Sequence, residues 1–197
     1  MATKFVANFD VVAIVISVAA IVVLLYYGIT VPALGSNMWV AYAFWFTGFF
    51  GSLFLGITKR TKWLTPKMLL EIVFFTAIIL GVFMAVNTFY AVAIEGDILS
   101  SLPGKALAAS IGVSEELFFG VFLIGLLVNW LRVPPAFAVV VSAGVHTAYH
   151  VPNWGANPTL LMLFFLSFAI MRTIYVFVCP YVSILLAGHG IWNFGVE

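Results

Sequence analysis

The chain has 197 residues, of which 64% are hydrophobic, 17% aromatic and only 8% charged, with a net charge of +1. A soluble domain carries about 25% charged residues, so this chain cannot cover a water-facing surface, and its balanced charge offers no field for nucleic acid. The composition is that of an integral, multi-pass membrane protein.

Lys4 and Asp10 precede an apolar run from Val11 to Val31. That run exceeds the roughly 7–15 residues of a signal-peptide core, so it reads as a retained first helix over about 11–32. A second span is expected at 37–57. The strongly charged loop KRTKWLTPK, 59–67, follows. The third span covers 68–93 and holds Glu71 near its start, where Lys67 at i−4 makes a surface pair the natural reading. A polar loop, 95–105, contains the turn signal Pro103-Gly104. The fourth span, 106–131, contains Glu115 and Glu116. Arg132 and two prolines mark the next turn. The fifth runs 134–151 and ends in HTAYHVPNWG; the sixth runs 158–178 and carries Arg172; Pro180 opens a shorter segment to about 195. The expected fold is all-α, a polytopic membrane helix bundle of about seven spans forming a single membrane domain over 1–197. Only helices or closed barrels satisfy the backbone in lipid, and unbroken apolar runs do not fit the alternating pattern of barrels.

Six of the eight basic residues (Lys4, Lys59, Arg60, Lys62, Lys67 and Arg132) fall on one side of that topology, with Lys105 opposite. The positive-inside rule then places the N-terminus in the cytoplasm. Cys179, the one cysteine, can form neither an internal disulfide nor a cysteine-based zinc cluster and reads as a buried hydrophobe. Trp39, Trp63, Trp130 and Trp154 lie near span ends, where such rings anchor at the interface.

Glu115 and Glu116 are adjacent acids in the middle of an apolar segment. A charged side chain near a helix centre costs roughly 2.5–3.5 kcal/mol, so two of them point to function unless each is partnered. Successive helical residues are about 100° apart, so one acid can face a cavity while the other contacts a neighbouring helix. HTAYH places His146 and His150 at i and i+4, and GHGIWN does the same for His189 and Asn193. A carboxylate in an apolar setting can act as a general base for water; a histidine can orient that water, and an asparagine amide is a common oxyanion donor. Together these make a water-activating hydrolytic site without a serine or cysteine nucleophile: Ser114 has no base at a fixed offset and Cys179 no matched partner. A divalent metal such as zinc is the competing reading, since His146, His150, His189 and a glutamate make a reasonable ligand set. HTAYH nevertheless lacks the glutamate of the zincin helix.

At these residues the chain resembles the CPBP intramembrane proteases, which include the type II CAAX prenyl endopeptidases and the Abi proteins linked to bacteriocin self-immunity. That family carries EExxxR, FxxxH and HxxxN motifs on separate membrane helices. Glu115-Glu116-Leu-Phe-Phe-Gly120 matches the first, HTAYH the second with His150 as its histidine and His146 in the phenylalanine place, and His189-Gly-Ile-Trp-Asn193 the third. The resemblance covers about residues 105–195. It implies that Glu115 activates water, His150 positions it, His189 and Asn193 stabilise the oxyanion and Glu116 supports or orients. It implies no required metal; a bound one would fall to Glu115, His150 and His189. The implied substrate is a membrane-associated or lipid-modified peptide or protein.

Two positions depart from the pattern. Gly120 stands where the motif has arginine, and His146 is polar where the family is apolar. Arg172 either takes the role of the missing arginine or snorkels to the interface. His146 is either a second polar group of the cavity or the working histidine itself, with Ser142 in the phenylalanine place. Two other functions compete: a non-catalytic membrane binding or immunity protein, favoured by Gly120, and a haem or proton-handling protein using paired histidines.

Overall fold

The computed structural model describes residues 5–31, 35–59, 63–89, 102–154 and 157–195. Among these residues seven main helices follow in order. They are α1 (Val11–Thr30), α2 (Gly35–Phe46, continuing through a π-helical turn at Thr47–Gly51 to Ser52–Phe54), α3 (Pro66–Phe89) and α4 (Leu102–Glu115, continuing through π-helical stretches at Glu116–Leu123 and Leu126–Trp130). Then come α5 (Pro135–Tyr149), α6 (Pro158–Thr173, with a π-helical end at Ile174–Val178) and α7 (Val182–Gly195). A one-turn helix, Val151–Trp154, separates α5 from α6. The fold is the all-α bundle read from the sequence. By length and composition α1, α3, α4 and α6 suffice to cross a membrane, whereas the apolar stretches Met38–Phe54 and Pro135–Tyr149 are shorter and α7 has 14 residues.

Local chemistry sets the boundaries. Asp10 caps α1 by accepting from the Ala13 amide at 3.0 Å. The Thr65 hydroxyl accepts from the Met68 amide at the start of α3. Asn157 caps α6, its Oδ1 accepting from Thr159 and Leu160, with Pro158 at the first position, where a missing amide hydrogen costs nothing. The polar loop residues 95–101, together with Lys4, Arg60, Lys62 and Gly155, lie outside the described residues. Lys67 and Glu71 form the expected surface pair at 3.9 Å.

The fourth helix is the centre of the bundle: 67% of its spanning stretch is buried, against 28–33% for the other three long spans. It packs on α1, α2, α5 and α7. Gly48 permits the closest of these approaches. A Cβ there would lie 2.4 Å from the Leu117 carbonyl carbon, so the π-helical turn of α2 sits directly on the backbone of α4, as small residues allow in membrane packing.

One end of the bundle is tied by a feature the hydropathy pattern did not foresee. Residues Ala7–Asn8 form a short strand, β1, that pairs in parallel with β2 (Thr58–Lys59), and Asn8 also bridges to Tyr181, its amide donating to the Pro180 carbonyl at 3.0 Å. The Asn129 side chain completes the clasp like a strand neighbour. It accepts from the Phe5 amide and donates to the Phe5 carbonyl, both at 2.9 Å. Asp10, fully buried, accepts from the Ser183 amide through its second oxygen at 3.3 Å and so holds the start of α7 as well as α1. The N-terminal strand, the end of α2, the end of α4 and the α6–α7 junction therefore share one face of the bundle. Each cap contributes about 1 kcal/mol. Asp10→Ala is accordingly expected to lower the unfolding midpoint of the detergent-solubilised protein by several degrees; an unchanged midpoint would show that neither contact carries weight.

Candidate active site

Glu115 and Glu116 lie where α4 changes from α-helical to π-helical winding, a distortion common at functional sites. Widening the turn disturbs the backbone ladder, and a neighbouring helix contributes a further bond: the Ser142 hydroxyl of α5 donates to the Phe119 carbonyl at 2.6 Å. The two carboxylates diverge, as their spacing requires, and His146 of α5 stands between them. Its Nε2 is 3.4 Å from Glu115 Oε2 and its Nδ1 is 3.3 Å from Glu116 Oε1. The imidazole is clamped face-on by two rings, Phe119 at 4.4 Å and Phe168 at 3.9 Å between centroids, which fixes its plane.

Arg172 of α6 is fully buried; it does not snorkel. Its Nη2 donates to Glu116 Oε1 at 3.0 Å and Oε2 at 3.3 Å, and also to Nδ1 of His146. A guanidinium has donors only, so Nδ1 of His146 must accept and the ring hydrogen sits on Nε2, pointing at Glu115. The Nε and Nη1 groups of Arg172 have no partner among the described residues. His189 of α7 approaches from the other side. Its Nδ1–H donates to Glu116 Oε1 at 3.1 Å, which turns Nε2 toward Glu115 Oε2, 3.8 Å away. His150, the C-cap of α5, brings its Nε2 to 3.6 Å from the same oxygen and 3.3 Å from His146 Nε2.

The site thus has two layers. Glu116, Arg172, His146 and His189 form a sealed inner network with side chains 0–1% exposed, and Glu115 and His150 form its outer edge, 4% and 11% exposed. Glu115, Glu116, His146, His150, His189 and Arg172 all converge. Asn193 does not reach the carboxylates: its Nδ2 donates to the Ala108 carbonyl at 3.1 Å. It lies beside His189 over Gly112, where a Cβ would come within 2.6 Å of Asn193 Nδ2 and 3.2 Å of His189 Cδ2. Gly120 is bare for a related reason. A Cβ there would meet Glu116 Oε2 at 2.5 Å and a Leu185 methyl at 2.9 Å, so a side chain at 120 would displace the carboxylate that Arg172 holds.

Two three-residue groups place donor atoms close enough for a metal ion among the described residues: Glu115–His146–His150 and Glu116–His146–His189. Neither fits one well. The second is filled by the Arg172 guanidinium, a cation donating to two of its three members. The first needs a lone pair on His146 Nε2, the atom that carries the hydrogen while Nδ1 accepts from Arg172. The set Glu115, His150 and His189 is not among the close groups.

Phe119 and Phe168, which clamp His146, and Ser142, which serves the π-helical turn, were not readable as site residues, because each is an ordinary member of an apolar or small-residue helix. Asp10 did carry a signal, a lone acid directly before an apolar run, which is the pattern of an N-cap.

The fold and site define a polytopic helical membrane protein with a carboxylate–imidazole–guanidinium centre buried in its helices. Residues 101–195, just under half of the chain, match the family model of type II CAAX prenyl endopeptidase Rce1-like proteins; over that segment the chain is similar to that family. The match supports CAAX-type intramembrane protease activity in general terms. No curated protein and no solved structure matches the chain.

Proposed function

We propose that the protein is an intramembrane endopeptidase that hydrolyses a membrane-associated or lipid-modified peptide with water activated by Glu115. The observation that carries this reading is the convergence of three imidazole Nε2 atoms, from His146, His150 and His189, on one oxygen of Glu115 at 3.4–3.8 Å. The two longer separations suit a bridging water better than a direct hydrogen bond. Glu115 takes the proton of that water as it attacks the scissile carbonyl, and passes it to the amine nitrogen as the C–N bond breaks; His150, at the exposed edge, positions the water. His189 is oriented by Glu116 as a histidine is oriented by the buried acid of a hydrolase triad. In its protonated form it offers Nε2–H to the charge that develops on the carbonyl oxygen. Asn193 has a second amide hydrogen for the same task. His146 carries the order imposed by Arg172 across to Glu115, since its Nε2–H can donate only while Nδ1 accepts.

Gly120 does not argue against catalysis on this reading, because Arg172 supplies from α6 the cation that the family motif supplies from α4. That weakens the binding-protein alternative. A haem role is disfavoured because the Nε2 atoms of His146 and His150 are in contact, leaving no room for a porphyrin plane between them. The protein lies in the membrane with its N-terminal strand on the cytoplasmic side.

The test is cleavage of membrane-anchored fluorogenic peptides by protein in lipid nanodiscs, wild type against Glu115→Gln. Equal rates would overturn the proposal. No metal is assigned to the reaction, because Arg172 occupies one donor group and fixes the wrong tautomer for the other. Exhaustive chelation is therefore expected to leave the rate within about twofold of untreated protein, whereas loss of activity restored by zinc would return the metal reading.

A further inference from the structure

We propose that the site is approached from the membrane face opposite the basic loops, so that the peptide it takes presents its scissile bond on the non-cytoplasmic side. This rests on the hydrolytic reading of the site. It names which side of the membrane the substrate occupies, and therefore which class of substrate is excluded.

Three observations carry it. The half of the bundle between the site and the clasp is shut. Leu117, Val121 and Ile124 of α4, Val182 and Leu185 of α7, Tyr175 of α6 and Ala143 of α5 are all fully buried. Across their end runs the N-terminal strand, bonded to Ile57, Pro180 and Asn129. That half of the bundle is therefore closely packed among the described residues. The outer edge of the site faces the other way: His150 is the C-cap of α5, a full helix length from Arg132, and it and Glu115 are the most exposed members of the site, at 11% and 4%. Half-buried aromatic rings line one side of that edge. Phe44 of α2 stacks on Phe118 at 4.7 Å and meets Tyr149 at 5.2 Å, and Tyr149 abuts His150. Such a rim fits an apolar or lipid-bearing side chain beside the scissile bond.

The charges supply the third observation. Lys59, Lys67 and Arg132 lie on the clasped face and Lys105 on the other, an asymmetry that marks the clasped face as cytoplasmic. The open edge then faces the non-cytoplasmic side. A prenylated cytosolic protein would present its C-terminus to the shut half. A translocated membrane protein or an exported lipopeptide would present its chain to the open one.

The test uses single cysteines in the full chain on a Cys179→Ala background, labelled in intact and permeabilised cells with a membrane-impermeant maleimide. Trp63→Cys reports the clasped face, Thr159→Cys the opposite face, and Tyr149→Cys the rim. Thr159→Cys and Tyr149→Cys are expected to react in intact cells and Trp63→Cys only after permeabilisation. Labelling of Trp63→Cys alone in intact cells would overturn the orientation. Labelling of Thr159→Cys with Tyr149→Cys protected until denaturation would overturn the approach route. Should Tyr149→Cys fail to fold, Val151→Cys takes its place. These readouts do not depend on catalysis, so a Glu115→Gln variant that cleaves like wild type would sink the hydrolase reading while leaving the labelling result intact.

Discussion

Replacing Glu115 by Gln is expected to lower the cleavage rate by about 10²–10⁴-fold, the range a positioned general base contributes, while the unfolding midpoint in detergent stays within a few degrees. The amide keeps the volume of the carboxylate and can still accept from His146 Nε2, so the packing survives; what it loses is the ability to take a proton from water. The midpoint matters as much as the rate. Glu115 lies at the outer edge of the cluster, and if Glu115→Gln unfolded the protein, the carboxylate would be holding the helices together rather than acting on substrate. Glu116→Gln should behave differently. Glu116 accepts from Arg172 and His189 inside the sealed layer, so its loss is expected to reduce both rate and stability.

The second large effect is expected at Arg172. Removing one member of a buried ion pair strands the other, at a cost of about 3–5 kcal/mol, so Arg172→Gln should lower the unfolding midpoint sharply and reduce cleavage. Wild-type activity in that variant would end the idea that Arg172 replaces the motif arginine. Stability and catalysis can be separated with the double variant Arg172→Met/Glu116→Met. Swapping a buried pair for apolar residues of similar size is often neutral or stabilising; the double variant should therefore regain much of the lost midpoint yet remain inactive, because nothing then fixes the tautomers of His146 and His189. Recovery of activity along with stability would show that the pair serves packing alone.

Much of this was legible in the chain. Apolar runs punctuated by Pro66, Pro134-Pro135 and Pro158 placed the helices within a few residues, since lipid demands long unbroken hydrophobic stretches and proline favours their first turns; Pro103-Gly104, read as a turn, instead lies within the first turn of α4. The acids and histidines were legible because a polar group in such a stretch is costly and must have a reason. What could not be read was direction. In a helix apolar on every side, nothing in the sequence says which way Arg172 points, and snorkelling to the interface is the commoner outcome for such a residue; the structure instead turns it inward onto Glu116. The same blindness hid the engagement of Asn193 with Ala108, because an i+4 spacing puts two residues on one face without saying how far each reaches. The clasp was invisible for another reason. A two-residue strand and a single asparagine side chain leave no periodicity, and pairings such as Phe5 with Asn129 span most of the chain.

The clasp and the site also share a dependence on α7. The Ser183 amide donates to the second oxygen of Asp10, and six residues later His189 closes the network around Glu116. During synthesis α1 and α4 are inserted well before α7 leaves the ribosome. Until it arrives, Asp10 lacks one of its two amide partners and Glu116 lacks one of its donors. Docking of α7 therefore completes the carboxylate network and the clasp in one event, so on the proposed hydrolytic reading the site is assembled only when the last helix locks the first strand in place.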